Sequence, residues 1–233
     1  AVAATACAFR SGAYVRARDR RMGGRLMRLI ETEADVAEGA AWLGAQHPAM
    51  ARALDVAGPL PLRRRPDGFA ALLNAIIGQQ VSTASANAIW MRLEQGGLIA
   101  PAPVIAAGED GLRAAGLSRQ KIAYALALAG AGVDYDALRS APDAEVIKTL
   151  TAIKGIGVWT AEIYAMFALG RPDVFAPGDL ALQEAARDIL DLPERPKEKA
   201  LRAMAEDWSP WRAVAARLFF TYYRVIKVRE GVT

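Results

Sequence analysis

The sequence is dominated by amphipathic helical patterns that are separated by short breaks rich in glycine and proline. Apolar residues recur at helical spacing over most of the chain, whereas the strict alternation typical of half-buried strands is scarce. The clearest helical stretches are residues 31–46, 68–78, 82–95, 119–130, 143–151, 158–169, 179–190, 197–207 and 210–228. Breaks include 101–103, 154–157 and 177–178, and none is long enough to be a disordered linker. We therefore predict an all-α globular protein with short connections.

Charge is distributed unevenly along the 233 residues. Residues 1–26 carry six arginines and one aspartate, residues 27–194 carry 14 basic and 20 acidic groups, and residues 195–233 carry nine basic and four acidic groups. The overall charge of +4 therefore does not describe a uniformly basic surface. We predict that residues 1–26 form an Arg-rich, disordered N-terminal extension. A basic arm, a transit peptide and sequence upstream of a start at Met22 or Met27 remain open as alternatives.

Few residues are suited to bind a metal or to enter a membrane. The only cysteine, Cys7, excludes an internal disulfide and a cysteine cluster for zinc or iron and sulfur. The longest apolar runs are too short to cross a bilayer. We expect a monomeric, cytoplasmic protein that uses no metal and no other cofactor and does not contact a membrane.

The turn Lys154-Gly155-Ile156-Gly157 lies between two predicted helices. Glycine at both ends allows positive φ and close approach of the backbone to a ligand. The unpaired amides at the start of the second helix favour a phosphate oxygen, and Lys154 adds a positive charge. Ordinary capping of a helical hairpin by glycine is the alternative. The pattern predicts either a phosphate-binding hairpin or a plain helix-to-helix turn.

Asp179 follows Pro177-Gly178 and precedes a good helical run, so it is predicted to cap that helix. Capping alone explains an aspartate at this position. A catalytic role is compatible with it, because a helix start favours an ionised carboxylate. Such a carboxylate can stabilise the positive charge that develops when a glycosidic bond breaks.

Five motifs occur together in one order along the chain: Ile76–Ser82, Gly116–Ile122, Leu150–Ala161, Asp173–Asp179 and Trp208–Arg212. This set resembles the helix-hairpin-helix DNA glycosylases that end in a Gly/Pro-Asp element (HhH-GPD), and most of all their 3-methyladenine DNA glycosylase II branch. The resemblance covers about residues 69–223. It implies two helical subdomains with an active-site cleft between them. We accordingly assign residues 67–233 to the glycosylase region and residues 27–66 to an N-terminal helical annex.

The resemblance also implies the chemistry. The family's catalytic aspartate corresponds to Asp179, and the partner is double-stranded DNA that contains damaged bases. An alkylated purine such as 3-methyladenine already carries a positive charge, so it can leave without a general acid. Bifunctional relatives have a lysine, which forms a Schiff base with the sugar, at the position of Trp159. We therefore expect a monofunctional enzyme for alkylated purines that leaves an abasic site and does not cut the strand.

A flipped base must be held by stacking, and the vacated stack must be filled. The predicted base pocket consists of Trp159, Tyr164, Phe220 and Tyr223, with Tyr222 as a further candidate, although each of the last four is equally expected in the core. The relatives carry a second pocket aromatic where this chain has Ile163. We predict that Gln80 wedges into the duplex. The predicted DNA-binding residues are Gln79, Gln80, Ser82, Ser118, Arg119, Lys121, Lys154, Gly155, Ile156, Gly157 and Thr160.

Several of these assignments compete with structural ones. Gln79, Gln80 and Ser118 are alternatively helix caps. We assign Trp208 and Trp211 to the core, Pro210 to the first turn of the last helix, and His47 to a structural or surface position. Two other functions remain open: a glycosylase for deaminated or oxidised bases, and a noncatalytic helix-hairpin-helix DNA-binding module. The carboxylate at Asp179 argues against the second, because phosphate binding gains nothing from it.

Overall fold

A computed structural model of the protein describes residues 20–22 and 25–229. Apart from one short strand pair, the described chain is built from helices. The helices are α1 (Glu33–Gln46), α2 (Pro48–Ala57), α3 (Phe69–Gly78), α4 (Thr83–Gln95), α5 (Pro101–Ala114), α6 (Arg119–Gly130), α7 (Tyr135–Ser140), α8 (Asp143–Thr151), α9 (Val158–Phe167), α10 (Leu180–Ile189), α11 (Glu198–Met204) and α12 (Arg212–Arg229). A 3₁₀ turn covers Ala205–Trp208. The predicted all-α class is confirmed.

Three helices were not predicted. Helices α2 and α5 begin with Pro48 and Pro101, each in the first turn. Proline is well tolerated there because the first amides of a helix have no intrahelical acceptor. The interpretation of residues 101–103 as a break was therefore wrong, and the third helix, α7, is only six residues long. The last helix begins at Arg212, so Pro210 precedes its first turn.

Part of the predicted N-terminal extension, residues 1–26, forms a pair of short strands. Strand β1 (Arg20–Met22) pairs antiparallel with β2 (Arg25–Met27), with Met22 opposite Arg25. Residues 20–22 and 25–26 of the predicted extension thus lie in strands, and the disorder of the rest of the extension stays a prediction. Residues 1–19 and 23–24 lie outside the described residues.

The helices form two packed groups. Helix α12 packs against α10, α1 and α2, and α11 adjoins α10. In the second group α6 packs against α5 and α3, α3 against α4, and α8 against α9. The chain leaves the first group after α2, builds the second group through α9 and returns at α10. The predicted annex, residues 27–66, therefore contains α1 and α2 and packs on the C-terminal helix.

Aromatic residues fill the core of the first group. Trp208 and Trp211 are buried, as predicted. Trp208 packs edge-on against Phe175 and Phe219 with ring centroids 5.2 and 5.0 Å apart. His47 lies between α1 and α2, where its Nε2 is 3.1 Å from the carbonyl oxygen of Asp207.

Charged side chains anchor the segment that leads from α9 to α10. Arg171 is fully buried and donates to the carbonyl oxygens of Leu138 and Ala141. Arg212 binds Asp173 through two hydrogen bonds of 2.7 and 3.0 Å. These contacts hold the segment 171–178 in place just before the start of α10. Within the described residues, no helix has both the length and the apolar character needed to cross a membrane.

Candidate active site

The turn between α8 and α9 has the geometry expected of a ligand-binding hairpin. Gly155 adopts φ +96°, and Gly157 caps α9 without any side-chain hydrogen bond to the first amides of the helix. Lys154 and Gly157 are exposed, whereas Ile153 and Ile156 are buried between the helices. The open amides at the start of α9 therefore face outward beside a lysine, an arrangement that suits a phosphate oxygen.

Gly155 is required by its surroundings as well as by its conformation. A Cβ atom at this position would lie 2.3 Å from Cγ of Tyr124. The Tyr124 hydroxyl accepts a hydrogen bond from Gln120 Nε2 at 2.7 Å. The Tyr124 ring thus packs directly against the backbone of the hairpin at Gly155, and only glycine leaves room for the ring.

The loop after α3 is tied to this hairpin. Gln79 Nε2 donates to the carbonyl oxygen of Gly155 at 3.0 Å, so the Gln79 side chain is used within the protein. Gln80 has φ +56°, is exposed and is followed by Val81, which is 39% exposed. A groove of about 380 Å³ runs between Gln80 and the hairpin. The positive φ of Gln80 departs from helical geometry just after the end of α3 at Gly78.

The turn that begins α6, where Ser118 and Arg119 are predicted to bind DNA, is only partly available for a ligand. Ser118 caps α6 by accepting from the amide of Lys121, and Arg119 is exposed. Ser82 caps α4 in the same way, with the amide of Ser85 as the donor. Both serines are exposed as well as capping.

Three of the predicted DNA-binding side chains point into the protein. The Lys121 ammonium group is buried and donates to the carbonyl oxygen of Ile77 at the end of α3, and burial lowers the pKa of Lys121. Thr160 is 5% exposed. Ile156 is buried, and its amide already donates to the carbonyl oxygen of Ile153. In this conformation these side chains are buried, and their predicted contacts with DNA stay predictions.

Asp179 caps α10 and meets Trp159 across the gap between two helices. Its Oδ1 accepts from the amides of Ala181 and Leu182 at 2.9 and 3.3 Å. Its Oδ2 accepts from Nε1 of Trp159 at 2.9 Å. The carboxylate is thus held by a helix start on one side and by an indole from the hairpin helix on the other. The structure brings together the two residues that the sequence placed 20 positions apart.

Exposed apolar side chains surround this carboxylate. Trp159 and Val158 are each 45% exposed, and Leu180 is 62% exposed. Exposed apolar residues that adjoin one another mark a candidate ligand-binding surface. Leu180 was not predicted, although an apolar residue directly after a capping aspartate, on the outer side of a helix start, is a usable signal.

An ion pair with a buried carboxylate and an exposed arginine lies one turn behind Trp159. Glu162 is 4% exposed and accepts from Arg202 of α11 at 2.9 Å. Burial raises the pKa of Glu162, and Arg202 opposes this effect. Gln183 donates to the carbonyl oxygen of Pro177 at 2.8 Å. Sequence reasoning did not identify these supports, because each joins segments far apart or faces inward.

Tyr164, another predicted pocket aromatic, lies farther along α9. Tyr164 is buried, and its hydroxyl accepts from the amide of Gly68 at 2.8 Å. Burial raises its pKa to about 12. Tyr164 therefore packs in the core in this structure, and its place in the base pocket stays a prediction.

The C-terminal aromatics occupy mixed positions. Phe220 is half-buried, with its ring centroid 6.3 Å from that of Phe167. Tyr223 is half-buried beneath the ammonium group of Lys227, and the Tyr222 hydroxyl donates to Asp188. Trp159, Ile163 and Phe167 share one face of α9, because they follow each other at four-residue spacing. Phe220 thus lies at the far end of the face that Trp159 begins.

Comparison with known proteins places this geometry in a family. A family model described as HhH-GPD superfamily base excision DNA repair protein matches residues 73–210. The structure of a DNA-3-methyladenine glycosidase from Bacillus halodurans is similar, with a TM-score of 0.71 and 33% identity over 83% of this chain and 89% of that one. The structure of a Schizosaccharomyces pombe 3-methyladenine DNA glycosylase in complex with abasic DNA is also similar, with a TM-score of 0.69. It is 26% identical over 78% of this chain and 95% of that one.

Curated relatives are matched over varying shares of their own length. DNA-3-methyladenine glycosylase 2 of Escherichia coli is 30% identical over 64% of this chain and 55% of its own. A Bacillus subtilis relative is 36% identical, but the match spans only 26% of that protein. The chain thus spans about a quarter to a half of the length of these two relatives.

Proposed function

Because the chain belongs to the HhH-GPD superfamily of base excision DNA repair proteins, we propose that it is a monofunctional DNA glycosylase. In this proposal it hydrolyses the N-glycosidic bond of alkylated purines, of the 3-methyladenine and 7-methylguanine class, and leaves an abasic site. The observation that carries the proposal is the Asp179 carboxylate, held between the start of α10 and the exposed indole of Trp159.

The carboxylate supplies the electrostatic part of the reaction. As the glycosidic bond breaks, positive charge develops on the sugar, and a fixed carboxylate stabilises it. The three hydrogen bonds to Asp179 hold the group in one orientation, so little reorganisation is needed in the transition state. Water adds to the sugar from the solvent, and the proton that it loses passes to solvent or to the carboxylate.

The base needs no proton from the protein in this reaction. An N-alkylated purine carries a positive charge and leaves as a neutral base. The exposed ring of Trp159 offers a flat face to such a cation, and Leu180 adds apolar surface beside it. The names of the relatives from Bacillus halodurans, Schizosaccharomyces pombe and Escherichia coli support this substrate class.

The hairpin supplies the anchor for double-stranded DNA. Lys154 and the amides at the start of α9 would bind a backbone phosphate close to Trp159 on the same helix. Gln80 would enter the gap that the flipped base leaves. The complex of the Schizosaccharomyces pombe glycosylase with abasic DNA contains the type of product that this reaction yields.

The reaction class follows from the residue at position 159. A lysine nucleophile would attack the sugar and lead to strand cleavage, whereas the indole of Trp159 cannot form a Schiff base. We therefore expect no covalent adduct with DNA in the presence of borohydride.

One experiment tests the proposal. Methylated DNA is incubated with the protein, and the released bases are identified by chromatography. Asp179→Asn is the test variant because asparagine caps helices as well as aspartate does but lacks its charge. Asp134→Asn, which changes the capping aspartate of α7, is the matched control. We expect release of 3-methyladenine and 7-methylguanine by the wild type and by the control only.

Two outcomes would contradict the proposal. Equal release by wild type and Asp179→Asn would remove the carboxylate from the mechanism. A borohydride-trapped adduct would show a nucleophile in the place of water.

A further inference from the structure

Four arginines lie close to one another beside Phe167 and Phe220, and the proposed reaction assigns no role to any of them. Arg63 and Arg65 precede α3, and Arg217 and Arg224 lie on α12. We call them the arginine cluster. Arg217 donates through Nε to the carbonyl oxygen of Leu62 at 3.1 Å, which joins the two segments. Arg217 and Arg224 are seven residues apart and therefore share one face of α12.

Two neighbouring aromatic rings, tilted relative to each other, support two of these guanidinium groups. The Arg63 guanidinium carbon is 5.5 Å from the ring centroid of Phe220. The Arg217 guanidinium carbon is 4.8 Å from the ring centroid of Phe167. Since the centroids of these two rings are 6.3 Å apart, the cations lie on neighbouring aromatic supports. Phe220 is thus already in contact with a cation.

The cluster has no acidic partner among the residues that the structure describes. None of its four members forms an ion pair with a described carboxylate. Asp67, close to Arg65 in sequence, binds Arg139 through two hydrogen bonds. The positive charges therefore add up without local compensation.

Arg217 shows the cost of this arrangement. Its side chain is fully buried, and its Nη2 has no hydrogen-bond partner among the described residues. Burial, together with the charges of Arg63 and Arg64, lowers its pKa to about 9. Burial and the charges of Arg224 and Arg65 also lower the pKa of Arg63. A protein retains an unpaired buried cation at a cost that a bound anion would offset.

The cluster is graded from the interior to the surface. Arg217 is buried, Arg63 is half-buried, and Arg65 and Arg224 are exposed. Arg63 also has φ +51°, a conformation that non-glycine residues adopt rarely and that occurs preferentially at functional sites. An anion can therefore reach Arg63, Arg65 and Arg224 from solvent. The positive charge of the buried Arg217 would attract the same anion from the interior side of the cluster.

From these contacts we propose that the arginine cluster is a binding site for a phosphate group, separate from the hairpin and from Asp179. Guanidinium groups recognise phosphate oxygens by paired hydrogen bonds, and several of them can share one tetrahedral anion. The phosphate belongs either to a phosphodiester of DNA outside the hairpin contact or to a free phosphate.

The position along α9 separates this site from the hairpin. Phe167, which supports Arg217, is the last residue of α9, whereas the hairpin amides are at its first turn. Ten helical residues span about 15 Å, which exceeds the reach of a single phosphate group. A phosphate at the cluster is therefore a second anion.

Inorganic phosphate is the direct probe. Its binding to the full chain is measured by calorimetry, with sodium chloride at equal ionic strength as the salt control. Arg224→Gln and Arg63→Gln are the test variants, and Arg224 is exposed, so its replacement leaves the core intact. Arg52→Gln, an exposed arginine of α2, is the matched control. We expect phosphate to bind wild type and the control equally and each test variant about tenfold more weakly or worse.

A second measurement identifies the source of the phosphate. Binding of undamaged duplex DNA is followed as a function of salt for the same four proteins. Loss of one phosphodiester contact in Arg224→Gln would reduce the slope of log K against log salt by about 1. An unchanged slope, with phosphate binding still weakened, would assign the site to a free phosphate. Equal phosphate affinity in all four proteins, or no binding beyond the salt control, would overturn the proposal. Neither measurement involves base excision. Failure of the phosphate-site proposal would therefore leave the proposed glycosylase activity untouched.

Discussion

Replacing Trp159 with phenylalanine would remove one hydrogen bond from Asp179 while keeping an aromatic ring beside it. The lost bond is the 2.9 Å contact from the indole Nε1 to Oδ2, and the bonds from the amides of Ala181 and Leu182 to Oδ1 remain. A hydrogen bond to a charged group contributes about 1.5–3 kcal/mol. If this bond orients the carboxylate, its loss should slow base excision by about 10- to 150-fold.

The assay is single-turnover release of 7-methylguanine from a duplex with the protein in excess, so that the rate reports the bond-breaking step. Trp159→Ala, measured in parallel, removes the ring as well as the donor, and any further loss reports stacking on the base. Trp42→Phe, at a half-buried tryptophan of α1, is the matched control for the same chemical change elsewhere. Wild-type activity in Trp159→Phe together with an inactive Asp179→Asn would refute the orienting role of the indole.

Three further predictions concern the hairpin and its support. Gly155→Ala should cost about 1–3 kcal/mol in unfolding free energy, measured with urea, because of its positive φ and the contact of its Cβ with Tyr124; an unchanged midpoint would contradict this. Lys154→Gln should reduce the salt slope for undamaged DNA by about 1, equally for all sequences, in anisotropy titrations, and a sequence-dependent loss would contradict a phosphate contact. Burial raises the pKa of Glu162, so this residue binds more protons in the folded state than in the unfolded state. The free energy of unfolding therefore falls as pH rises above about 4.3, the ordinary pKa of a glutamate. Glu162→Gln should flatten this fall in urea unfolding between pH 4 and 7, and an unchanged pH profile would exclude this residue as its source.

The sequence was most informative where the fold depends on local patterns. Helical periodicity and the Gly and Pro breaks predicted nine helical segments, including those on both sides of the hairpin. The helices that begin at Pro48 and Pro101 were not predicted, because proline occurs at a helix start as readily as in a break. The Trp159 and Asp179 pair followed from spacing within a motif, and the structure joins the two side chains directly.

The sequence was least informative about which side of a helix meets solvent at a functional surface. Lys121 is a cation and Thr160 a hydroxyl, so both looked suitable for phosphate, yet both face inward. Tyr164, predicted for the base pocket, is likewise buried. Contacts such as that of Arg217 with Leu62 join positions 155 residues apart and have no local signal. These features depend on the packing of two helical groups, which no short pattern encodes.

Capping and catalysis are not competing explanations for Asp179. A capping aspartate needs only one oxygen to accept the amides of its helix, and Oδ1 does this. The second oxygen is bound by Trp159, two residues after the glycine that opens the candidate phosphate site. In the proposed mechanism, anchoring of the DNA backbone at the first turn of α9 would fix the position of the indole, which in turn holds the carboxylate. We therefore propose that the capacity for chemistry resides in the linkage between the starts of α9 and α10, since each helix start alone would be an ordinary cap.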